Sequence, residues 1–417
     1  MSEPAGAALP VPGPAAGPQV VAHWSPWRAV LGFGVVSLAA DMVYEGARSI
    51  TGPLLGSLGA SALLVGVVTG AGEALALTLR LVFGPRVDRT GNYWSMTLSG
   101  YALTAVCVPA LAVTPFLGAA GLVVACTLVL AERTGKAVRS PAKSTLLAHA
   151  AGPVGLGRGF GVHKALDQVG AVAGPLLVAA IATATGRLWP AMAVLVVPGI
   201  LAIAVLVRLR DRVGDPLGDG VRSTPAAPRT SLLRTGRDLP RRFWLFAAAS
   251  GLTTAGLVTF GVISYHLVRE HVVAVAAVPV VYAAAMATAA LAALATGWLH
   301  DRSAGRDLLA LPFLVAAVPL LAFSGTAAVA ILGVLVWGAA GGVQDSTVKA
   351  LVARLVPAAR RATGYGLFAG VQGAAAVAGG ALAGELSSRS VPALVLTVAV
   401  LQLAALVLLV GTLRRST

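Results

Sequence analysis

A chain of 417 residues that is 57% hydrophobic and only 11% charged, with mean hydropathy +0.85, holds more apolar surface than a soluble globule buries, since soluble domains are about 25% charged. Spans of about 20 apolar residues joined by short loops fit roughly twelve times into this length. The net charge of +15 lies as arginines in short loops beside apolar runs, where positive-inside orientation accounts for it and nucleic-acid binding is not implied.

Residues 1–26, rich in Pro, Ala and Gly, lack the basic region and cleavage pattern of a signal peptide and read as a disordered cytosolic tail. Span 1 (about 27–58) carries Asp41, Glu45 and Arg48 at i, i+4 and i+7, one charged face on an apolar helix with Asp41 near mid-membrane. Span 2 (about 61–83) adds Glu73 and Arg80, and span 3 covers about 95–114. Span 4 (about 116–147) is the most charged, with Glu132, Lys136, Arg139 and Lys143 on one stripe, Arg133 beside it and Pro141 bending it. In span 5 (about 158–183) His163, Asp167, Gly170 and Gly174 share a stripe that must face protein rather than lipid, with Pro175 next to it. Cys107 and Cys126, with no CxxC spacing, read as small core hydrophobes rather than a disulfide or zinc pair.

Span 6 (about 189–207) closes a first bundle over 27–207. Hydropathy then collapses in the Arg-, Asp-, Gly- and Pro-rich stretch 208–242, which reads as a cytosolic linker. A second bundle follows over 243–412, with spans at about 243–268, 274–298, 308–324, 327–355, 362–384 and 391–412, and a short cytosolic tail at 413–417. Its polar cluster is small: Gln344, Asp345 and Lys349 in span 10 and Gln372 in span 11. The segments 84–92, 208–242, 300–306 and 354–361 are arginine-rich, whereas the opposite loops hold few basic residues, chiefly Arg187, Arg269 and Arg389. Both termini are therefore expected in the cytosol.

Two spacings recur half a chain apart. Gly84-x3-Asp88-Arg89-x-Gly91 has a counterpart in Gly297-x3-Asp301-Arg302-x2-Gly305-Arg306, and Gly159-Phe160-Gly161 through Gly174 has one in Gly364-Tyr365-Gly366 through Gly379. Nearly equal offsets indicate duplication of a six-span unit. The loop pair resembles the motif between spans 2 and 3 of the major facilitator superfamily, although Asn92 and Tyr93 replace its usual basic pair. The series Gly161-x8-Gly170-x3-Gly174-Pro175 is similar to the fifth-helix antiporter motif of that superfamily's exporters, with Leu177 and Val178 where its closing glycines would stand. The run from Arg133 to Pro141, with His163 to Asp167, resembles one exporter branch, except that Lys143 and Ser144 replace its Arg and Asp.

This resemblance implies an all-α integral membrane protein of twelve helices in two pseudo-symmetric six-helix bundles. It also implies an inner gate at Gly84, Asp88, Arg89, Gly91, Gly297, Asp301 and Arg302, where the carboxylates cap helix ends and pair with neighbouring arginines. Gly161, Gly170, Gly174 and Pro175 are the packing residues it assigns.

Ionised groups at mid-bilayer are expensive, so each requires a partner or a watery cavity. Glu45 with Arg48, Glu132 with Lys136, and Lys164 with Asp167 lie within reach along their helices, and mutual neutralisation accounts for them as well as a transport role does. Asp41 is farther from its own helix's base and is the leading proton-carrying carboxylate, with Glu45 second and Asp167 placed either as a helix lock or in the cavity. Arg139 and Lys136 are candidate counter-charges for Asp41 or anion clamps, and Glu73 and Arg80 candidates for the same water path. His163 reads as a solvated interfacial residue. Tyr44, Phe33, Trp298, Trp337 and Phe368 could line a substrate wall, which the second bundle is expected to supply.

The expected activity is outward movement of a small amphipathic organic molecule in exchange for protons, by rocking of the two bundles. Charge-coupled movement of an anionic metabolite or lipid is the alternative, and divalent-metal export a weaker one. No Walker A, Gly-x-Ser-x-Gly or His-Glu-x-x-His motif suggests an enzyme. No cofactor is expected; the partners are the substrate, protons and the bilayer, and the state a monomer.

Overall fold

A computed structural model of the chain describes residues 24–213, 239–303, 306–356 and 361–413. Regular structure among them is helical throughout. The first half comprises α1 (Pro26–Ser57), α2 (Ala62–Thr90), α3 (Tyr93–Phe116), α4 (Gly118–Val154), α5 (Leu156–Thr185) and α6 (Leu188–Val213). The second comprises α7 (Arg241–Arg269), α8 (Val278–Ser303), α9 (Ala310–Ala322), α10 (Ala327–Leu355), α11 (Arg361–Arg389) and α12 (Val391–Leu413). Eleven of these are long and apolar enough to cross a membrane, and α9 is a shorter apolar helix. Most of the expected tail and linker lies outside the described residues, as do Ala304 and Gly305 of the second loop motif.

Local chemistry sets the ends. Pro26 opens α1 behind Ser25, whose hydroxyl accepts from the Arg28 amide at 3.4 Å, and Ser61 caps α2 by accepting from the Leu64 amide at 3.2 Å. The segment expected as a loop from Gly84 onward is instead helical to Thr90, because hydropathy marks where the apolar run stops and not where hydrogen bonding stops. Gly91 then ends the helix at φ +67°, a left-handed conformation that glycine adopts freely, while its amide donates to the Val87 carbonyl.

An interruption in α7 sets where Phe260 stands. The helix stops at Gly256 and restarts at Phe260. The Val258 carbonyl freed there accepts from the Trp337 indole N–H at 2.9 Å, and the Thr259 hydroxyl meets that of Thr69 in α2 at 2.8 Å. Broken backbone at membrane depth is tolerated only when protein satisfies it in this way.

Small residues carry the closest helix contacts. A Cβ on Gly170 or Gly174 of α5 would collide with the Leu38 or Met42 carbonyl of α1, and a Cβ on Gly379 of α11 would collide with the Ala255 carbonyl of α7. The repeated glycine thus occupies the same seat in each half, α5 on α1 and α11 on α7. Across the halves, Gly66 and Gly70 of α2 abut Gly380 and Ala376 of α11, and Gly384 abuts Ala62, in antiparallel register.

The apolar packing is asymmetric end to end. At the end away from the termini, one continuous core joins Ile50, Leu54 and Leu55 of the first half with Val258, Tyr265 and Val278 of the second. At the termini end two separate cores remain, one around Phe33, Trp94 and Leu206 and the other around Phe243, Phe368 and Leu409. The halves are therefore closed together on the far side.

Candidate functional site

Where α1 faces both its own bundle and the second half, one face carries Ser37, Asp41, Tyr44, Glu45 and Arg48 in successive turns. Tyr44 is the centre of this group. Its ring lies under the Lys136 ammonium at 3.7 Å and the Arg133 guanidinium at 4.4 Å, with Arg48 6.0 Å from its centroid. Arg133 also donates to the Tyr44 hydroxyl. A single phenol thus gathers three cations through its negative ring face and one lone pair.

Carboxylates thread between these cations. Arg48 meets Glu73 of α2 at 3.0 Å and Glu45 at 3.8 Å, while Arg133 reaches Glu73 at 3.7 Å and Glu132 at 3.6 Å. The pairing expected between Glu132 and Lys136 is replaced, because Glu132 turns to Arg133 and accepts from Thr104 of α3 at 3.3 Å while Lys136 lies on Tyr44. Arg139 is not turned toward Asp41 either. It donates to the Thr104 hydroxyl and lies 4.7 Å from the Tyr101 ring centroid, buried where α4 packs on α3.

The second half contributes rings. Phe260 at the restart of α7, Tyr282 of α8 and Trp337 of α10 lie with centroids 4.4, 5.4 and 6.0 Å apart. Tyr282 donates its hydroxyl to Glu45, and Trp337 has Arg48 5.9 Å from its ring centroid. Glu45 and Arg48 of the first half are thereby tied to the aromatic wall of the second. Of the rings named from the sequence, Tyr44 and Trp337 belong here. Phe33 instead stacks on Trp94 at 5.9 Å, Phe368 on Phe246 at 5.7 Å, and Trp298 is exposed on α8.

Toward the termini a second group adjoins the first. The Asp167 carboxylate accepts from Ser37 at 2.7 Å and pairs with Lys164, and Asp41 stands one turn on from Ser37 on the same face of α1. Asp167 consequently docks α5 on α1. His163 corrects the sequence reading: it is 6% exposed, because its stripe with Gly159, Gly170 and Gly174 is the one pressed onto α1. Gly161 differs from its partners, being exposed with open space beside it, whereas Gly170, Gly174 and Pro175 are buried.

The remaining candidates lie apart. Arg80 opens the second segment of α2, after a one-residue break at Leu79, about two turns on from Glu73. Gln344 donates to Thr254 at 2.9 Å, Gln372 is buried in α11, and Asp345 is exposed. Asp88 and Arg89 are exposed at the end of α2 and form no ion pair among the described residues; Gly84 and Gly297 have open space beside them. The side chains of Asp301, Arg302 and Lys349 lie outside the described residues. Tyr282, Phe260, Ser37 and Thr104 were missed by sequence reasoning, and only the Gly256–Gly261 punctuation of span 7 hinted at the break that sets Phe260 in place.

Comparison with known proteins fits this arrangement. The sequence model of the Major Facilitator Superfamily matches residues 33–306 and 258–417. An uncharacterized protein of Mycobacterium tuberculosis (strain ATCC 25618 / H37Rv) is 52% identical over 390 residues, covering 92% of this chain and 93% of its own. An uncharacterized MFS-type transporter of Methanocaldococcus jannaschii is 29% identical over 145 residues, 34% of this chain and 35% of its own. Among solved structures, a mutant of the nucleoside transporter NupG superposes with TM-score 0.74 at 12% identity over 93% of this chain and 99% of that one. A mutant of the peptide transporter POT in complex with sulfate gives 0.72 at 14% identity over 93% and 94%. A family model spanning nearly the whole chain, on twelve helices in two repeated halves, makes this a membrane transporter: the chain belongs to the major facilitator superfamily.

Proposed function

We propose that the chain exports a small amphipathic organic molecule in exchange for protons. The observation that carries this reading is the Ser37–Asp167 bond, which seats one carboxylate against the α1 face that carries Asp41, beside an aromatic-lined charged site that both halves build. Asp41 and Asp167 are the candidate proton carriers, and Lys164, paired with Asp167, and Lys136, on the Tyr44 ring, supply compensating charge. Substrate binds between Tyr44 and the Phe260–Tyr282–Trp337 wall, where rings supply apolar contact and Glu45 and Arg48 supply polarity. Because Glu45 and Arg48 touch Tyr282 and Trp337 of the second half, substrate and protonation at this site act on contacts that join the halves. The outward direction rests on the likeness of the α5 glycine series to exporters, together with a cytosolic placement of the termini.

The convergence of Arg48, Arg133 and Lys136 on one ring favours a second reading, charge-coupled movement of an anionic metabolite. Divalent-metal export gains no ligand set: among the described residues no three His, Cys, Asp or Glu side chains converge. Proton release on addition of cationic, neutral and anionic compounds to proteoliposomes, compared between the native chain and Asp41→Asn, separates the readings. Proton antiport predicts a compound-dependent proton signal that Asp41→Asn abolishes. Anion flux that follows membrane potential, without proton movement in either protein, would replace it with the second reading.

A further inference from the structure

Basic residues are scarce in the loops at the end away from the termini, and three arginines stand out there. Arg389 is spent on Glu385, one turn before it. Arg187 and Arg269 have no carboxylate partner among the described residues, yet both border one cavity of about 540 Å³. Its size lies within the range of about 300–1,000 Å³ usual for small-molecule sites.

Local structure places both arginines on the border of this cavity. Gly186 ends α5 at φ +65°, and the extended Arg187 that follows starts the turn into α6. Arg269 is the last residue of α7 and donates to the Tyr265 hydroxyl at 2.6 Å, and Tyr265 is in turn packed on Gly56 of α1, where a Cβ would stand 2.9 Å from its ring. Leu188, Val268 and Val275 supply apolar wall, and neither Asp nor Glu lines the cavity; Glu270 is exposed outside it. Two arginines bordering an apolar-walled cavity without an acid leave their guanidinium forks available to an anion, and such forks recognise phosphate and carboxylate oxygens directionally.

From this we infer that the cavity is a binding site for an amphipathic anion, a phosphate or carboxylate head on an aliphatic chain. The head bridges Arg187 and Arg269 and the chain lies on Leu188, Val268 and Val275. Because Arg187 belongs to the first half and Arg269 to the second, the ligand joins the halves on the side that is closed and favours that conformation. The inference is independent of proton coupling. Its source is either a lipid headgroup or a free amphiphile of the same chemistry.

The test is the thermal unfolding midpoint of the purified full chain titrated with dodecyl phosphate, with dodecanol and inorganic phosphate as half-ligands, since a ligand that binds only the folded state raises the midpoint. Native protein and Arg158→Ala, a charge loss at the other end, are expected to show a saturable rise that neither half-ligand reproduces. Arg187→Gln and Arg269→Gln are each expected to weaken the apparent affinity about tenfold, as for a lost charge-assisted hydrogen bond. The double variant should lose the response; if it does not fold, the two single variants decide. A higher midpoint in phosphatidylglycerol than in phosphatidylcholine nanodiscs, abolished by the same substitutions, assigns the source to lipid, and its absence alongside a dodecyl phosphate response assigns it to a free amphiphile. Equal affinity in native and substituted proteins, or no saturable rise at all, overturns the site.

Discussion

Glu45 is held from two directions, by Arg48 one turn along α1 and by the Tyr282 hydroxyl from the opposite half. Tyr282→Phe removes one donor and leaves a buried carboxylate under-satisfied, a loss of about 1–3 kcal/mol. Because this bond joins the halves, the expected outcome is a lower unfolding midpoint together with more frequent opening of the far side, read as faster labelling of a cysteine placed at the buried Ser264, which lies against Gly52 of α1; unchanged labelling would make the bond merely structural. Tyr44 allows a cleaner separation of ring from hydroxyl. Tyr44→Phe keeps the ring face for Lys136 and Arg133 and should retain most stability, whereas Tyr44→Ala also leaves a cavity and should lose about 3–5 kcal/mol. The charged members of this site were legible in the sequence because ionisable side chains in apolar runs are rare and helical spacing places them on one face. Their partners were not. Ser37, Thr104 and Tyr282 are ordinary residues for an apolar helix, and Tyr282 meets Glu45 across a sequence separation of 237 residues. The pairing of Glu132 was misjudged for a related reason: proximity along one helix gave Lys136, but Tyr44 from another helix attracted that ammonium first.

The helices that must move past one another meet through their smallest side chains. In α5, Gly170 and Gly174 sit against α1 backbone carbonyls, so Gly174→Val forces α5 away from α1 and separates Asp167 from Ser37 and Asp41. Gly161 has open space, and Gly161→Ala should leave the unfolding free energy within about 0.5 kcal/mol of native, as surface changes do. The pair therefore divides the glycine series: Gly174→Val is expected to lower stability and abolish transport, and Gly161→Ala to spare stability. If Gly174→Val were as stable as Gly161→Ala, the seat on Met42 would not be what the series encodes. At this scale the spans, their number and the duplication were readable from hydropathy and repeated spacing. The continuation of α2 to Thr90 and the interruption of α7 were not, since both depend on where backbone hydrogen bonds go, and the freed Val258 carbonyl is satisfied by an indole from α10.

The molecule as a whole is closed at one end by a core that both halves share and divided at the other into two cores. In the exchange proposed above the shared core must part, and the contact between Thr69 of α2 and Thr259 of α7, at 2.8 Å between hydroxyl oxygens, lies on the seam between the halves. Cysteines at both positions, in a chain with Cys107→Ala and Cys126→Ala, are close enough to join when oxidised. The cross-linked protein is expected to bind from the termini end the compound identified in proteoliposomes, yet not to transport it, and reduction is expected to restore transport. Continued turnover with the bridge intact would mean that the halves do not separate along α2 and α7, and that the path runs elsewhere than between Tyr44 and the Phe260–Tyr282–Trp337 wall. Loss of both binding and transport on oxidation, with both restored on reduction, would instead place the substrate contact at the seam itself.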